Sequence, residues 1–416
     1  MLNTDTHQLC SILNIPTTSV AKIEICGLYT DTRNPMQDGV FLALRGENFD
    51  GHNFIDAAEK MGAKAVIASQ KINTRLPTLL VEDSEKALVQ IAQWWLNQIK
   101  PKVVGITGSN GKTTTKNMLA NILNLSAPTL KTQGNLNNHL GVPMTLLELD
   151  KKHRYAVVEM GANHVGEIAH LREIASPDIA LVTNTLDAHI GEFGGFDNLV
   201  KAKGEIYAPD SKNVVNTQTT FTGDIGFGDG GDVFASNINN NSFHLNIDNK
   251  KTNVILQLIG RQNIDNALAA SACAHALGVD IDTIKQGLEN TQAEKGRLNI
   301  IQHANFTIID DTYNASPSSV KYALEVLNNF SGEKVAVLGQ MAELGAQSKA
   351  YHSQIGTFAK SLNIDFLYSY KADYGVHNFN NEAELLTALK QHTNATLLFK
   401  GSRIAKLEQI IEKLCV

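Results

Sequence analysis

Cysteine is scarce in this sequence. The four residues, Cys10, Cys26, Cys273 and Cys415, are scattered along 416 positions. None forms a CxxC pair, so neither a zinc site nor a disulfide framework is indicated. Thiols used this way fit a reducing compartment, and the expected location is the cytoplasm. Long apolar runs are missing too. No segment approaches the roughly 18 to 20 unbroken apolar residues of a membrane helix, so no membrane span is expected. The opening residues, MLNTDTHQLCSILNIP, lack a basic stretch followed by an apolar core and do not read as a secretory signal. Neither sign of charge is in large excess. A net charge of -6 gives no electrostatic reason to expect nucleic acid or a membrane surface as partner. No internal repeat stands out.

What remains is the composition of a well-cored protein, 43% hydrophobic and 19% charged, long enough for two to four domains. The pattern separates three regions, at residues 1–82, 83–295 and 296–416, all of α/β type. The first is small, with strand-like runs VFLALRG, AKAVIAS and PTLLVED and a helix near residues 54–61. Leu88, Ile91, Ala92 and Trp95 then recur at helical spacing, and Pro101 ends that helix. The central region alternates apolar runs (YAVVEM, DIALVTN, KNVVN) with helical segments, as expected for a mostly parallel sheet of the phosphate-loop type. Between residues 217 and 253 it turns rich in Gly, Asn and Asp and reads as appended antiparallel hairpins. In the third region FTIIDD, KVAVLG, DFLYSY and ATLLFKG alternate with helices near 318–330, 349–362 and 382–392, a Rossmann-like, doubly wound unit.

The strongest chemical signal is GITGSNGKTTT at residues 105–115, after the strand KVVGI and before the helix KNMLANIL. Strand, glycine-rich loop and helix make a phosphate cradle: backbone N–H groups turn toward an anion and the helix start adds partial positive charge. Thr107, Gly108, Ser109, Asn110, Gly111 and Thr114 would line it. Lys112 would reach the β- and γ-phosphates of ATP, and Thr113 would place its hydroxyl on Mg²⁺. Ile106 stands where the general GxxxxGK[ST] pattern has its first Gly.

Glu159 ends a candidate strand and is a natural Mg²⁺ ligand, although a carboxylate there is more often only solvated. His189 follows another strand; a lone His in a loop is more often a hydrogen-bonding residue than a ligand. Lys203, expected on a helix, reads by default as a surface lysine. At a pKa near 10.4 only about one such amine in 2,500 is neutral at pH 7, so covalent chemistry there needs a special environment. Arg297 and the DDTYNASP segment from Asp310 open the third region. They suit either a clamp on phosphate and ribose or an interdomain salt bridge.

Taken together, and in this order, the motifs resemble those of the Mur ligases over nearly the whole chain. They are TDTR, LRGENFDGHNF, GITGSNGKTTTK, TQGNLNNHLGVPMTLLEL, VVEMGANHVGEI, AHIGEFGGFDNLVKAKGEIY, GRQNIDNALAA, KGRL, DDTYNASPSSV, VLGQMAELG and FKGSR. GNLNNHLGVPMTLL and EMGANHVGEI are characteristic of the branch that adds D-alanyl-D-alanine. The resemblance implies that Thr32, Arg33, Gly46, Asp50 and His52 hold the UDP-sugar end of a UDP-MurNAc-tripeptide, and that Asn135, Asn137 and Asn138 lie near its reacting carboxylate. It makes Thr113, Glu159, His189 and Lys203 ligands of Mg²⁺, two ions in all, with Lys203 carried as a carbamate. Catalysis would fall to Lys112, Lys203, His189 and Glu159. Asn263, Asn266, Arg297 and Asp311 would hold ATP, and Tyr313 and Asn314 would place D-Ala-D-Ala. A monomer is the default expectation. Two residues depart from the family pattern: Gln340 stands where Asp is usual and Ser316 where Asn is common. The rival readings are another amide ligase of the superfamily such as a folylpolyglutamate synthase, a phosphate-loop ATPase or kinase, and a noncatalytic scaffold.

Overall fold

The computed structural model describes residues 1–416 except 47, 48, 188, 189, 304 and 416. The expected metal ligand His189 therefore lies outside the described residues. By its internal contacts the chain forms two compact units. One is Met1–Gly105 with Ala127–Gly161 and Ala169–Asp178; the other is Ile106–Ser126 with Ala162–Ile168 and Ile179–Val416.

The first unit holds a four-stranded parallel sheet, β1 (Leu28–Tyr29), β2 (Val40–Leu42), β3 (Ala65–Ala68) and β4 (Thr78–Leu80), paired in that order. Every residue of β2 and β3 is fully buried, which is why these runs are apolar without alternation. The helix expected near 54–61 is a 3₁₀ turn, Gly51–Phe54, running into the short helix Ile55–Lys60. Helix α1 (Ser84–Ile99) follows. Asp83 caps it, accepting from the amides of Glu85 and Lys86, and Leu88, Ile91, Ala92 and Trp95 are buried as their spacing predicts. Lys100 ends it in the left-handed conformation, φ 52°, ahead of Pro101. Strand β5 (Lys102–Thr107) carries the chain from the first unit into the second. In the first unit its neighbour is β7 (Tyr155–Glu159), which pairs in parallel with β6 (Thr129–Lys131).

The second unit begins with helix α2 (Lys112–Asn124). Strands β8 (Ile179–Val182) and β9 (Lys212–Asn216) pair in parallel, with helix α3 (Phe196–Gly204) between them in sequence. The stretch expected to be antiparallel hairpins divides. Its first strand, β10 (Ile225–Phe227), pairs in parallel with β9, and only β11 (Val233–Asn239), β12 (Ser242–Ile247) and β13 (Lys250–Ile255) form antiparallel pairs. Turn-rich composition marks where the chain bends, not which neighbour it meets afterwards. In β12 Phe243, Leu245 and Ile247 are buried while Ser242, His244 and Asn246 are less so, the signature of a sheet with one covered face. Helix α4 (Arg261–Ala276) packs on α2.

A six-stranded sheet completes this unit: β14 (Asn299–His303), β15 (Phe306–Asp311), β16 (Lys334–Gly339), β17 (Phe366–Tyr370), β18 (His377–Phe379) and β19 (Ala395–Lys400). The spatial order is β14-β15-β19-β16-β17-β18, parallel apart from β14 at the edge. Successive side chains feed opposite faces. Ile309, Ala336, Leu338 and Leu398 pack with α5 (Pro317–Asn328) and α6 (Ser348–Ser361). Ile308, Val335, Val337, Leu397 and Phe399 pack with α7 (Glu382–Leu389) and α8 (Leu407–Leu414). Each fully buried Leu, Ile or Val contributes about 1.5–3 kcal/mol, so both helical layers are held firmly. The doubly wound expectation is met. The edge strand β14, which breaks the βα alternation, was not foreseen. The last strand in sequence, β19, inserts between β15 and β16, which puts the switch in strand order at its carboxyl end.

Among the described residues no helix is long and apolar enough to cross a membrane.

Candidate active site

The phosphate loop is built as its sequence requires. Strand β5 ends at Thr107 and α2 starts at Lys112, with Gly111 as its N-cap at φ +81°. A Cβ on Gly111 would lie 2.1 Å from Oδ1 of Asn266, and one on Gly108, at φ +143°, would lie 2.0 Å from Oγ1 of Thr183. Close approach and left-handed backbone both demand glycine at these two positions. The segment after β8 pins the loop. Ser109 N–H donates to the carbonyl of Asn184 (3.0 Å) and Asn110 N–H to its Oδ1 (3.0 Å); Thr183 Oγ1 donates to the Asn110 carbonyl (2.7 Å). Lys112 donates to the carbonyls of Gly108 (2.7 Å) and Ser109 (3.2 Å), which ties its ammonium to the cradle. Thr113 is buried and Thr114 half-buried in the first turn of α2, where the helix dipole and amides favour an anion.

Asn263 and Asn266 are both buried on α4 and support that loop. Asn266 donates to Asn263 Oδ1 (3.1 Å) and accepts from Thr115 Oγ1 (3.4 Å), while Asn263 donates to the carbonyl of Ile259 (2.7 Å).

Lys203 departs most from its default reading. On α3 it is 2% exposed, not a surface lysine. Its Nζ lies 3.4 Å from the carbonyl of Ala162 and 4.9 Å from the ring centre of Phe193. Burial, reinforced by the charge of Lys112, pushes its pKa down to about 7.

In the first unit Glu159 is buried at the end of β7. Its Oε1 accepts from Asn137 Nδ2 (2.9 Å), and its amide donates to Thr132 Oγ1 (3.0 Å). The asparagine loop is folded on itself: Asn137 N–H donates to the Asn135 carbonyl (2.8 Å), and Asn138 Oδ1 accepts from Gly141 N–H (2.8 Å) at the start of the next helix. Thus Asn135, Asn137, Asn138 and Glu159 are brought together. Thr32 precedes Arg33, whose exposed guanidinium forks onto Asp31 (2.7 Å). Gly46 lies in a two-residue ribbon, Arg45–Gly46 against Phe49–Asp50. His52 is buried, its Nδ1 2.6 Å from Asp50 Oδ1 and its Nε2 accepting from Ser69 N–H (3.1 Å). That acceptor role fixes the ring proton on Nδ1, so both ring nitrogens hold the loop in shape.

In the third region Asp311 is engaged on both sides. Oδ2 pairs with the buried Lys400 (2.8 Å) and Oδ1 accepts from Leu298 N–H (3.2 Å). Lys400 also donates to the carbonyl of Asn314 (2.5 Å). The Arg297 guanidinium stacks 3.9 Å from the ring centre of Tyr313, with Glu294 3.5 Å away. Ser316, the departure from the family pattern, is the N-cap of α5 and forms a capping box with Ser319. Ser and Asn cap helices equally well, which accounts for the exchange. Gln340 is exposed just after β16.

Sequence reasoning passed over several residues that join these parts. Asn184 clamps the phosphate loop as described. Asn110 Nδ2 donates to Ser318 Oγ (3.0 Å), and Ser318 N–H to Asp187 Oδ1 (3.1 Å), which brings the start of α5 to the phosphate loop. Lys400 anchors the loop after β15. The runs DIALVTN, DDTYNASPSSV and FKGSR enclosed Asn184, Ser318 and Lys400, but no spacing within those runs announces a partner so far away in sequence.

Comparison with known proteins bears on the whole chain. It matches the Mur ligase family catalytic domain over residues 24–100, the Mur ligase middle domain over 106–274 and the Mur ligase glutamate ligase domain over 296–415. It is 39% identical to the UDP-N-acetylmuramoyl-tripeptide–D-alanyl-D-alanine ligase of Escherichia coli (strain K12), over 100% of this chain and 99% of that protein. A crystal structure of MurF from Acinetobacter baumannii is similar at a TM-score of 0.93 and 39% identity, covering 100% of this chain and 99% of that one. The MurF ligase of Thermotoga maritima, solved in complex with ADP, is similar at a TM-score of 0.85 and 30% identity, covering 93% and 96%. With this identity sustained from end to end, the chain belongs to the Mur ligase family, in the group of the UDP-N-acetylmuramoyl-tripeptide–D-alanyl-D-alanine ligases.

Proposed function

We propose that this protein joins D-alanyl-D-alanine to UDP-N-acetylmuramoyl-tripeptide with ATP, releasing ADP and phosphate and giving the UDP-MurNAc-pentapeptide precursor of peptidoglycan. The observation that carries the reading is a phosphate loop pinned ready for use in a chain similar throughout to ligases of that name. A carboxylate is a poor electrophile. Transfer of the γ-phosphoryl group to the tripeptide's terminal carboxylate makes an acyl phosphate; the dipeptide amine then attacks its carbonyl carbon, and phosphate leaves. Such chemistry is mostly positioning and charge neutralisation.

Within that scheme residues 1–82 bind the UDP-sugar, 83–295 bind ATP, and 296–416 clamp the nucleotide and receive the dipeptide. Thr32, Arg33, Gly46, Asp50 and His52 contact the UDP end. Asn135, Asn137 and Asn138 lie toward the reacting carboxylate. Residues 107–114 cradle the phosphates, Asn263 and Asn266 serve the nucleotide from α4, and Lys112 offsets charge on the moving phosphoryl group. Arg297 and Asp311 hold nucleotide from the third region, where Tyr313 and Asn314 place the dipeptide. The reaction runs in the cytoplasm, on a monomer.

The donors available to Mg²⁺ suit a hard cation: the Thr113 hydroxyl and the Glu159 carboxylate, oriented by Asn137. His189 keeps its proposed place as a third ligand. Bound Mg²⁺, expected as two ions, would act as a Lewis acid toward the phosphoryl oxygens. A lysine ammonium cannot join this set, but a carbamate can. At a pKa of about 7 roughly half of the Lys203 amine is neutral at pH 7, enough to add to CO₂, lose a proton and become an anionic oxygen donor. In Lys203→Ala, ligation is lost and short carboxylates restore part of it; full activity in that variant would remove the carbamate.

The deciding assay is ATP turnover with UDP-MurNAc-tripeptide, with and without D-Ala-D-Ala. Ligation product and phosphate should appear together only when both are present. Phosphate release indifferent to both substrates would sink the reading.

A further inference from the structure

Resting on the proposed reaction, we infer that Arg403 is the receptor for the dipeptide's free carboxylate and so sets which end of the acceptor faces the acyl phosphate.

Three loops meet at the carboxyl ends of β15, β19 and β16, adjacent in the sheet in that order. Strand order switches at β19, and in open parallel sheets that is where ligands bind. Ser402 fastens the three loops together. Its amide donates to the carbonyl of Gln340 (2.9 Å), its Oγ accepts from Ala342 N–H (2.9 Å), and the same Oγ lies 3.3 Å from the carbonyl of Ala315. The residue after this rivet is Arg403, which opens a 3₁₀ turn, Arg403–Ala405. Its side chain is exposed, and its guanidinium carbon lies 6.0 Å from the ring centre of Tyr313, the residue proposed to place the dipeptide. The backbone is therefore fixed while the charged group stays accessible.

Other cations nearby are already committed. Lys400 is buried against Asp311, and Arg297, on the same Tyr313 ring, has Glu294 beside it. Among the described residues Arg403 has no acidic partner within ion-pair distance. A guanidinium suits a carboxylate, since its planar fork can donate two parallel hydrogen bonds.

The reaction needs such a group. The acceptor carries an amine that must attack and a carboxylate that must not be activated in place of the tripeptide's. Holding that carboxylate at Arg403 presents the amine and keeps the dipeptide in one direction.

The test compares steady-state kinetics of the wild-type protein, Arg403→Ala and Arg403→Lys with D-Ala-D-Ala and with its C-terminal amide. Removing a charge-assisted pair should raise the KM for D-Ala-D-Ala about 10- to 100-fold in Arg403→Ala. The KM values for ATP and UDP-tripeptide should stay within about twofold, with Arg403→Lys intermediate. Wild-type protein should strongly prefer the free acid over the amide, and Arg403→Ala should lose that preference. An unchanged dipeptide KM, a preserved preference, or a rise in the KM for ATP instead would each overturn the assignment. If wild-type protein joins no dipeptide at all, the proposed function falls first and this inference with it.

Discussion

The phosphate loop and the strand-end crevice of the third region both hold lysines at their centres, but they are made in opposite ways. The loop is contiguous: eleven consecutive residues, from 105 to 115, carry the glycines, the lysine and the helix start. The crevice is assembled from residues near 313, 341 and 402, joined by Ser402 and Lys400. Lys112 keeps its ammonium half-buried on carbonyls of its own loop, whereas Lys400 is buried and ion-paired to Asp311. The first lysine is tied to carbonyls of its own loop, which suits the ligand role proposed for it. The second holds other residues in place. Residue type is the same in both; the partner that tertiary structure supplies decides the task.

Substitutions at four positions would sharpen or break this contrast. Lys112→Ala should leave thermal stability near wild type and cut kcat/KM about 10³-fold, or ~4 kcal/mol, by removing charge neutralisation at the phosphoryl group. A variant that keeps a tenth of the activity would mean the loop lysine is not a ligand group. Lys400→Met should do the reverse. It leaves Asp311 without its cation, and denaturant unfolding should show a loss of about 3–5 kcal/mol. A stability loss under 1 kcal/mol would show that the crevice is not held this way. Gly111→Ala places a methyl group against Asn266 at a left-handed φ, at a cost of about 1–3 kcal/mol, and should raise the KM for ATP. Unchanged nucleotide affinity would argue that the loop tolerates a shift of α4. The smallest effect belongs to Ser316. Ser316→Ala should cost about 1 kcal/mol through loss of the cap on α5, while Ser316→Asn, the residue common in the family, should be neutral within about 0.5 kcal/mol. If Asn is as costly as Ala, Ser316 does more than cap.

Much of the fold was legible because its signals are local. The apolar runs of β2, β3, β16 and β19, the spacing of Leu88, Ile91, Ala92 and Trp95, and Pro101 after α1 all act within one element. Pairing was less legible. The Gly- and Asn-rich stretch after residue 217 announces turns, but the parallel pairing of β10 with β9 depends on where the chain arrives. The candidate site residues divide likewise. Glu159 at a strand end and Lys203 on a helix were placed correctly from pattern. Lys203's burial was not visible, because Phe193 and Ala162, which shelter it, come from other segments. Asn184, Ser318 and Ser402 were overlooked because a hydrogen bond to a distant backbone leaves no periodicity behind.

By itself the sequence determined that residues 105–115 form the strand end, glycine-rich loop and helix start of the phosphate-cradle pattern, since all of its parts lie within one contiguous run. Tertiary structure alone decided what surrounds each lysine. Lys112, Lys203 and Lys400 are chemically identical side chains. A loop of carbonyls, burial beside the Phe193 ring and a buried carboxylate give them three different surroundings, and only spatial neighbours, not those along the chain, lower the pKa of the Lys203 ammonium.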